Sequence, residues 1–200
     1  MLTGEAGVGK SRLLEELKPR LRQRGFLLIE GEGFAYAKTR AYLPLIDMLK
    51  RYCGITDQDP TASYRGKLQA TLTEVHPSLE AFVPIFLNLF GIEAEERAIA
   101  ELSAEARLQH ILNGIKYLVA LQCRNQPVAF LIEDLHWLDA RSVAFLHSLA
   151  ESVTVLPVFL LCSSRPEHTY PWEGRSFTHK MQLAPLPQQV TASLFSALAG

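Results

Sequence analysis

Near the start of the chain stands Gly4-Glu5-Ala6-Gly7-Val8-Gly9-Lys10-Ser11, a G-x-x-x-x-G-K-[ST] spacing suited to holding a polyphosphate. Glycines let consecutive backbone N–H groups turn inward, forming a concave nest for an anion. Lys10 brings a cation to the β- and γ-phosphates and Ser11 a hydroxyl for Mg2+. A helix starting there would aim its positive end at the same anion. On this reading Gly4, Glu5, Ala6, Gly7, Val8, Gly9, Lys10, Ser11 and Arg12 bind the nucleotide, with ATP and Mg2+ as expected cofactors. The alternative is a glycine-rich turn matching by chance, and the helical stripe directly downstream argues against it.

Two further segments carry chemistry. Val128-Ala129-Phe130-Leu131-Ile132-Glu133-Asp134 is an apolar run ending in two carboxylates, and it resembles a Walker B motif. A buried strand of this kind delivers its terminal acid beside the Mg2+ held by Ser11, and the neighbouring acid can orient an attacking water. Glu133 and Asp134 are thus the metal-side candidates. Many relatives have Asp at the first position where this chain has Glu133, so the division of roles between the two stays open. Alone, such a run would more commonly end in a solvated acidic turn. Val158-Phe159-Leu160-Leu161-Cys162-Ser163-Ser164-Arg165-Pro166-Glu167 is a second apolar run. It ends on an arginine, where phosphate-binding ATPases often keep a γ-phosphate sensor; the plainer reading is an exposed loop arginine. Pro166 biases Arg165 toward an extended backbone. Lys10, Asp134 and Arg165 form the candidate catalytic set.

The elements that must position these residues are legible as periodicities. Leu13, Leu14, Leu17 and Leu21 share a helical stripe after the glycine-rich loop, with a kink or break expected at Pro19. Phe26 to Glu30 reads as a buried strand. Tyr42 to Cys53 reads as a helix with Pro44 in its first turn, and Leu79 to Ile92 as a buried helix. Ser103 looks like the N-cap of a long helix to about Cys123, with Leu108, Ile111, Leu112, Ile115, Leu118 and Val119 on its apolar side. Val128 to Ile132 and Pro157 to Cys162 read as strands, with a helix at Ala140 to Ser152 between them. A last strand is expected within Ser176 to Leu183, and a helix at Gln188 to Leu198. Strand–helix–strand alternation implies a parallel α/β sheet. The stretch between it, residues 34–125, reads as an all-helical insertion; residues 126–184 hold the acidic and arginine-bearing strands, and 185–200 begin a following helical module.

Composition narrows the partners. The chain has 200 residues, 48% hydrophobic and 20% charged, with a formal net charge of −1, which argues against gripping nucleic acid or an anionic membrane. Three scattered cysteines, Cys53, Cys123 and Cys162, without a CxxC pair, read as free thiols of a reducing compartment. The apolar run Leu79 to Ile92 is too short and interrupted for a membrane span. The expectation is a cytoplasmic protein.

GEAGVGKSRLL, VAFLIEDLHWLDARSVAFL, LLCSSRPE and MQLAPLPQQ together resemble the AAA/STAND-type P-loop signalling ATPases. These are found beside class III adenylyl or guanylyl cyclase, protein kinase or helix-turn-helix regulator domains. Gly31 to Tyr52 resembles their stretch between the second strand and the first inserted helix. The resemblance implies an ASCE-type P-loop NTPase sheet in the order 5-1-4-3-2, with Glu133 at Mg2+, Asp134 as catalytic acid and Arg165 as sensor. Asp139 falls on the family's second acidic position; His136 and Trp137 are typical neighbours, Trp137 in a packing role. It also implies partners among other domains of one longer polypeptide. Only Met1, Leu2 and Thr3 precede Gly4, where relatives carry an apolar strand and an upstream segment for adenine. A largely missing first strand and a fragment of a multidomain protein are therefore expected. Three functional readings follow: a slowly hydrolysing regulatory switch, a nucleotide-binding scaffold without significant turnover, and a small-molecule kinase.

Overall fold

The computed structural model describes residues 1–34, 42–92, 99, 101–152 and 154–187. Its centre is a parallel sheet of five strands: β1 (Leu2–Thr3), β2 (Leu27–Glu32), β3 (Val128–Glu133), β4 (Val158–Ser164) and β5 (Met181–Gln182). The order is β2-β3-β4-β1-β5, which is 5-1-4-3-2 read from the other edge. β3 pairs along its whole length with β2, from Leu27 opposite Val128 to Glu32 opposite Glu133. On its other side it pairs with β4 from Val158 to Cys162. Its residues Val128 to Ile132 are all buried, as a central parallel strand requires.

Six α-helices are described: α1 (Lys10–Gln23), α2 (Leu43–Tyr52), α3 (Tyr64–Val75), α4 (Val83–Leu89), α5 (Ala104–Asn125) and α6 (Ala140–Ser152). The two-residue period of β3 splits the core. Ala129 and Leu131 face α1, where Leu14 and Leu21 close a small cluster with Leu17, Leu28 and Leu161 around it. Val128, Phe130 and Ile132 face the other way, into the large core built from α2 to α6. Each fully buried leucine of this kind contributes about 1.5–3 kcal/mol, so α1 is held to the sheet by a few side chains.

Several elements differ from the sequence reading. α1 runs unbroken through Pro19. Pro19 and Glu15, whose carbonyl loses its helical partner, are both exposed, so water takes up that carbonyl while the buried stripe continues opposite. Leu13 of that stripe is 42% exposed. β2 begins at Leu27 and runs two residues past Glu30 because Gly31 and Glu32 stay in register with β3. The expected last strand shrinks to Met181–Gln182. The Leu79–Ile92 helix is a 3-10 segment, Pro77–Phe82, followed by α4. The expected helix at Gln188 to Leu198 lies outside the described residues.

The slot of the first strand is occupied by two residues. Leu2 and Thr3 pair with Ser163 and Ser164 of β4 on one side and with Met181 and Gln182 on the other. Ser103 caps α5 as expected, its Oγ accepting from the Ala106 N–H at 3.1 Å. Among the described residues between β2 and α5 every regular element is helical. Cys53 and Cys162 are free and buried, and burial pushes both thiols up to about 12. No helix among the described residues is long and apolar enough to cross a membrane.

Two helical glycines make opposite predictions. A Cβ on Gly114 in α5 would lie 2.6 Å from Phe82 Cδ1 and 2.9 Å from Cζ of the fully buried Phe86. Gly114→Val should destabilise by about 1–3 kcal/mol, since overpacking outweighs the gain in helix propensity. Gly66 in α3 is exposed with nothing near its Cβ position. Gly66→Ala should stabilise by about 0.5–1 kcal/mol, and urea unfolding of both variants checks the two signs.

Candidate nucleotide site

The glycine-rich loop links β1 to α1, and its conformation is one few other residues would adopt. Gly7 has φ +80° and Gly9 φ +100°, both in the left-handed region where an L side chain is strained. Gly9 sits immediately before the first helical residue, and its carbonyl accepts from the Leu13 N–H at 2.9 Å. Lys10 is 8% exposed. Its Nζ donates to the Gly4 carbonyl at 2.7 Å and the Glu5 carbonyl at 2.9 Å, which holds the ammonium inside the loop. Gly4 is tied to the sheet through its N–H, which donates to the Ser164 carbonyl at 3.3 Å.

The opposite wall comes from the carboxyl ends of β3 and β4. Glu133 ends β3 on the α1 side, two residues beyond Leu131. Asp134 then takes a left-handed conformation, φ 50° and ψ 50°, one that Asp tolerates better than most residues. Its N–H donates to Ser163 Oγ of β4 at 3.0 Å. The end of β2 presses on the same turn: the Gly33 N–H donates to the Glu133 carbonyl at 2.9 Å. A Cβ at Gly33 would come within 2.4 Å of the Asp134 carbonyl oxygen, so glycine is the residue that permits this approach. Arg165 follows β4 directly. Its guanidinium lies 5.9 Å from the centre of the Trp137 ring and 4.0 Å from Glu167.

These walls enclose a cavity of ≈ 310 Å³ lined by Ala6, Gly7, Gly9, Lys10, Ser11, Arg12, Asp134, His136, Trp137 and Arg165. Most of the residues singled out in the sequence therefore converge. Gly4 and Glu5 stand behind the lining as the carbonyl partners of Lys10, and Val8 packs against Gly4. Glu133 lines a neighbouring cavity with Glu15, Lys18, Glu32 and Arg51. Burial first, then the negative charges of Glu133 and Asp134, push the Glu32 carboxyl up from its ordinary value. The Ser11 hydroxyl and the Asp134 carboxylate, which line the larger cavity, are hard-oxygen donors, with the Glu133 carboxylate in the neighbouring one. No cluster of three or more His, Cys, Asp or Glu side chains among the described residues would enclose a metal alone. Mg2+ takes one or two carboxylates and completes its shell from phosphates and water.

The chain matches the AAA ATPase domain family over residues 1–161. It belongs to that family. Membership implies binding of ATP or ADP, usually with Mg2+. The chain is also similar to an uncharacterized protein of Rhizobium meliloti (strain 1021), at 26% identity over 205 residues. The match covers 96% of this chain and 18% of that relative, so the chain spans about a fifth of the relative's length. No solved structure matches.

Three residues of this AAA ATPase domain have structural roles that sequence reasoning passed over or left unassigned. Ser163 and Gly33 set the position of Asp134, and neither carries a motif of its own. Asp139 is 7% exposed and caps α6: its Oδ1 accepts from the N–H groups of Arg141 at 3.0 Å and Ser142 at 3.1 Å. Its Oδ2 accepts from Ser142 Oγ at 2.5 Å and from the Tyr42 N–H at 3.2 Å. The Asp-Ala-Arg-Ser stretch before a helical run was a legible capping signal. Asp139→Ala should therefore cost about 2 kcal/mol of stability, the upper range for a cap, while Mg-ATP affinity of the folded fraction stays unchanged. Urea unfolding beside calorimetric titration separates the two effects.

Proposed function

We propose that this AAA ATPase domain is an ATP-binding, slowly hydrolysing regulatory switch within a longer multidomain signalling protein. The observation that carries the reading is the meeting of Lys10, Asp134 and Arg165 around one cavity, from three different sheet connections. Lys10 neutralises charge on the β- and γ-phosphates. Asp134, fixed by Ser163 at the mouth of β3, holds and orients a water for attack on the terminal phosphorus. Arg165, on the loop after β4, reads whether that phosphate is present, and its position against Trp137 links the reading to the turn after β3. Glu133 and Ser11 are the residues that would hold Mg2+, which supplies charge neutralisation to the phosphates when bound. A switch differs from a scaffold by turnover, and a carboxylate beside the phosphate loop favours turnover. The similarity to part of a much longer protein supports other domains of the same polypeptide as partners. The resemblance to domains beside cyclases, kinases and helix-turn-helix regulators supports a signalling output.

Nucleotide binding tests the base of this reading. Lys10→Ala removes the buried cation of the loop, and ATP affinity should fall at least tenfold, about 1.4 kcal/mol, by calorimetry with Mg2+. Unchanged affinity would overturn the phosphate-loop assignment.

The carboxylates should separate when each is changed to its amide. Asp134→Asn should bind Mg-ATP normally and hydrolyse it slowly in single-turnover assays, by the 10²–10⁴-fold (order of magnitude) that proton-transfer or water-orienting groups contribute. Glu133→Gln should instead weaken the Mg2+ dependence of binding. The reversed pattern would exchange the two roles, and wild-type hydrolysis no faster than Asp134→Asn would favour the scaffold.

A further inference from the structure

His136 lies in a single 3-10 turn, Leu135–Trp137, directly after Asp134. Its side chain is 5% exposed, and both ring nitrogens are buried with no hydrogen-bond partner among the described residues. Buried polar atoms in folded proteins nearly always have a partner, and leaving one unmet is costly. The carboxylate of Asp134 does not supply it: Oδ1 is 3.9 Å from Nδ1, beyond hydrogen-bonding distance. The ring has aromatic neighbours on two sides. It stacks on His168 at 5.4 Å with 25° between the planes, and sits 5.1 Å from the Trp137 ring. It also lines the cavity that Lys10, Asp134 and Arg165 line.

We infer that the His136 ring, covered in this structure, turns an N–H into the cavity to donate a hydrogen bond to the terminal phosphate of a bound nucleoside triphosphate and, with Arg165, distinguishes triphosphate from diphosphate. This rests on the nucleotide reading above and adds a residue to it. The glycine-rich loop and Lys10 form the wall toward which the inner phosphates are drawn. His136 comes from the turn after β3 and lines the same cavity, within the space the outermost phosphate would take on this reading. In either protonation state the imidazole keeps at least one N–H, so the contact does not depend on titration. A histidine serving only to fill the core would leave both nitrogens unexplained, because an apolar ring would stack there at no polar cost.

The test compares the wild-type chain with His136→Phe, which keeps a ring against His168 and Trp137, and with His136→Gln, which restores an N–H donor. Calorimetry with Mg2+ and either ADP or a slowly hydrolysed ATP analogue gives the ratio of the two affinities. His136→Phe should lose about tenfold in triphosphate affinity, equivalent to about 1.4 kcal/mol, and keep its ADP affinity; His136→Gln should recover part of the loss. An unchanged ratio in His136→Phe overturns the role of His136 and leaves the nucleotide reading standing. A wild-type chain that binds neither nucleotide overturns that reading and this inference together. If the variants fail to fold, 15N-histidine spectra of the wild-type chain decide. A His136 ring signal that moves with the ATP analogue and not with ADP supports the contact, and one that responds equally to both overturns it.

Discussion

The hydrogen bond from the Asp134 N–H to Ser163 Oγ, 3.0 Å long, locks the carboxyl ends of β3 and β4 to each other. Asp134, His136, Trp137 and Arg165 all hang from the two segments that leave those ends. With the bond in place, the left-handed turn at Asp134 is held by its surroundings as well as by its own preference. Gly33 reinforces it by letting the end of β2 come so close that a Cβ there would lie 2.4 Å from the Asp134 carbonyl oxygen. A bulkier residue there would push on the backbone of the site, so a position without any functional group governs where the carboxylate stands.

The placement of the site follows from the sheet order. β1 lies beside β4, so the loop after β1 and the loop after β4 open side by side at the carboxyl edge of the sheet. From β1 the chain crosses by α1 to β2 on the far side of β3, and ligands of open α/β sheets gather where such connections diverge. β3 lies between β2 and β4 with both faces covered. The rigidity of that strand makes it a suitable support for residues whose geometry matters to within an ångström. α1 is anchored on one face by Leu14 and Leu21, which sets the first turn of the helix, with Lys10 and Ser11, against the β3 end.

Charge and burial act together around this frame. The Lys10 ammonium is held by two loop carbonyls, those of Gly4 and Glu5. Glu32, Glu133 and Asp134 concentrate negative charge at the ends of β2 and β3; burial first, and then that charge, raises the Glu32 carboxyl. Burial holds His136 below the ordinary imidazole value, against the pull of the Asp134 carboxylate. Lys10 and Asp134 thus line one cavity, while Glu32 and Glu133 line the neighbouring one.

The amino-acid sequence determined the parts of this protein that depend on local chemistry. The glycine spacing before Lys10, the capped helix from Ser103, the apolar run to Glu133 and the run to Ser164 all express themselves within a few residues. Backbone freedom and side-chain period act at that range. Helix α1 shows the limit: Pro19 reads locally as a break, yet burial of Leu14, Leu17 and Leu21 on the sheet carries the helix through it. Only the tertiary structure decided which residues meet. Asp139 stands next to the catalytic candidates in sequence but caps a helix, because its carboxylate is turned to the N–H groups of α6 and Tyr42. Ser163, about thirty residues away along the chain, proves to be the partner of Asp134 because parallel pairing brings the ends of β3 and β4 together. His136 reads as one more aromatic in a packed turn until its burial and its unpartnered nitrogens are seen together. A sequence states which groups are present, whereas pairing register and enclosure determine which of them lack a partner.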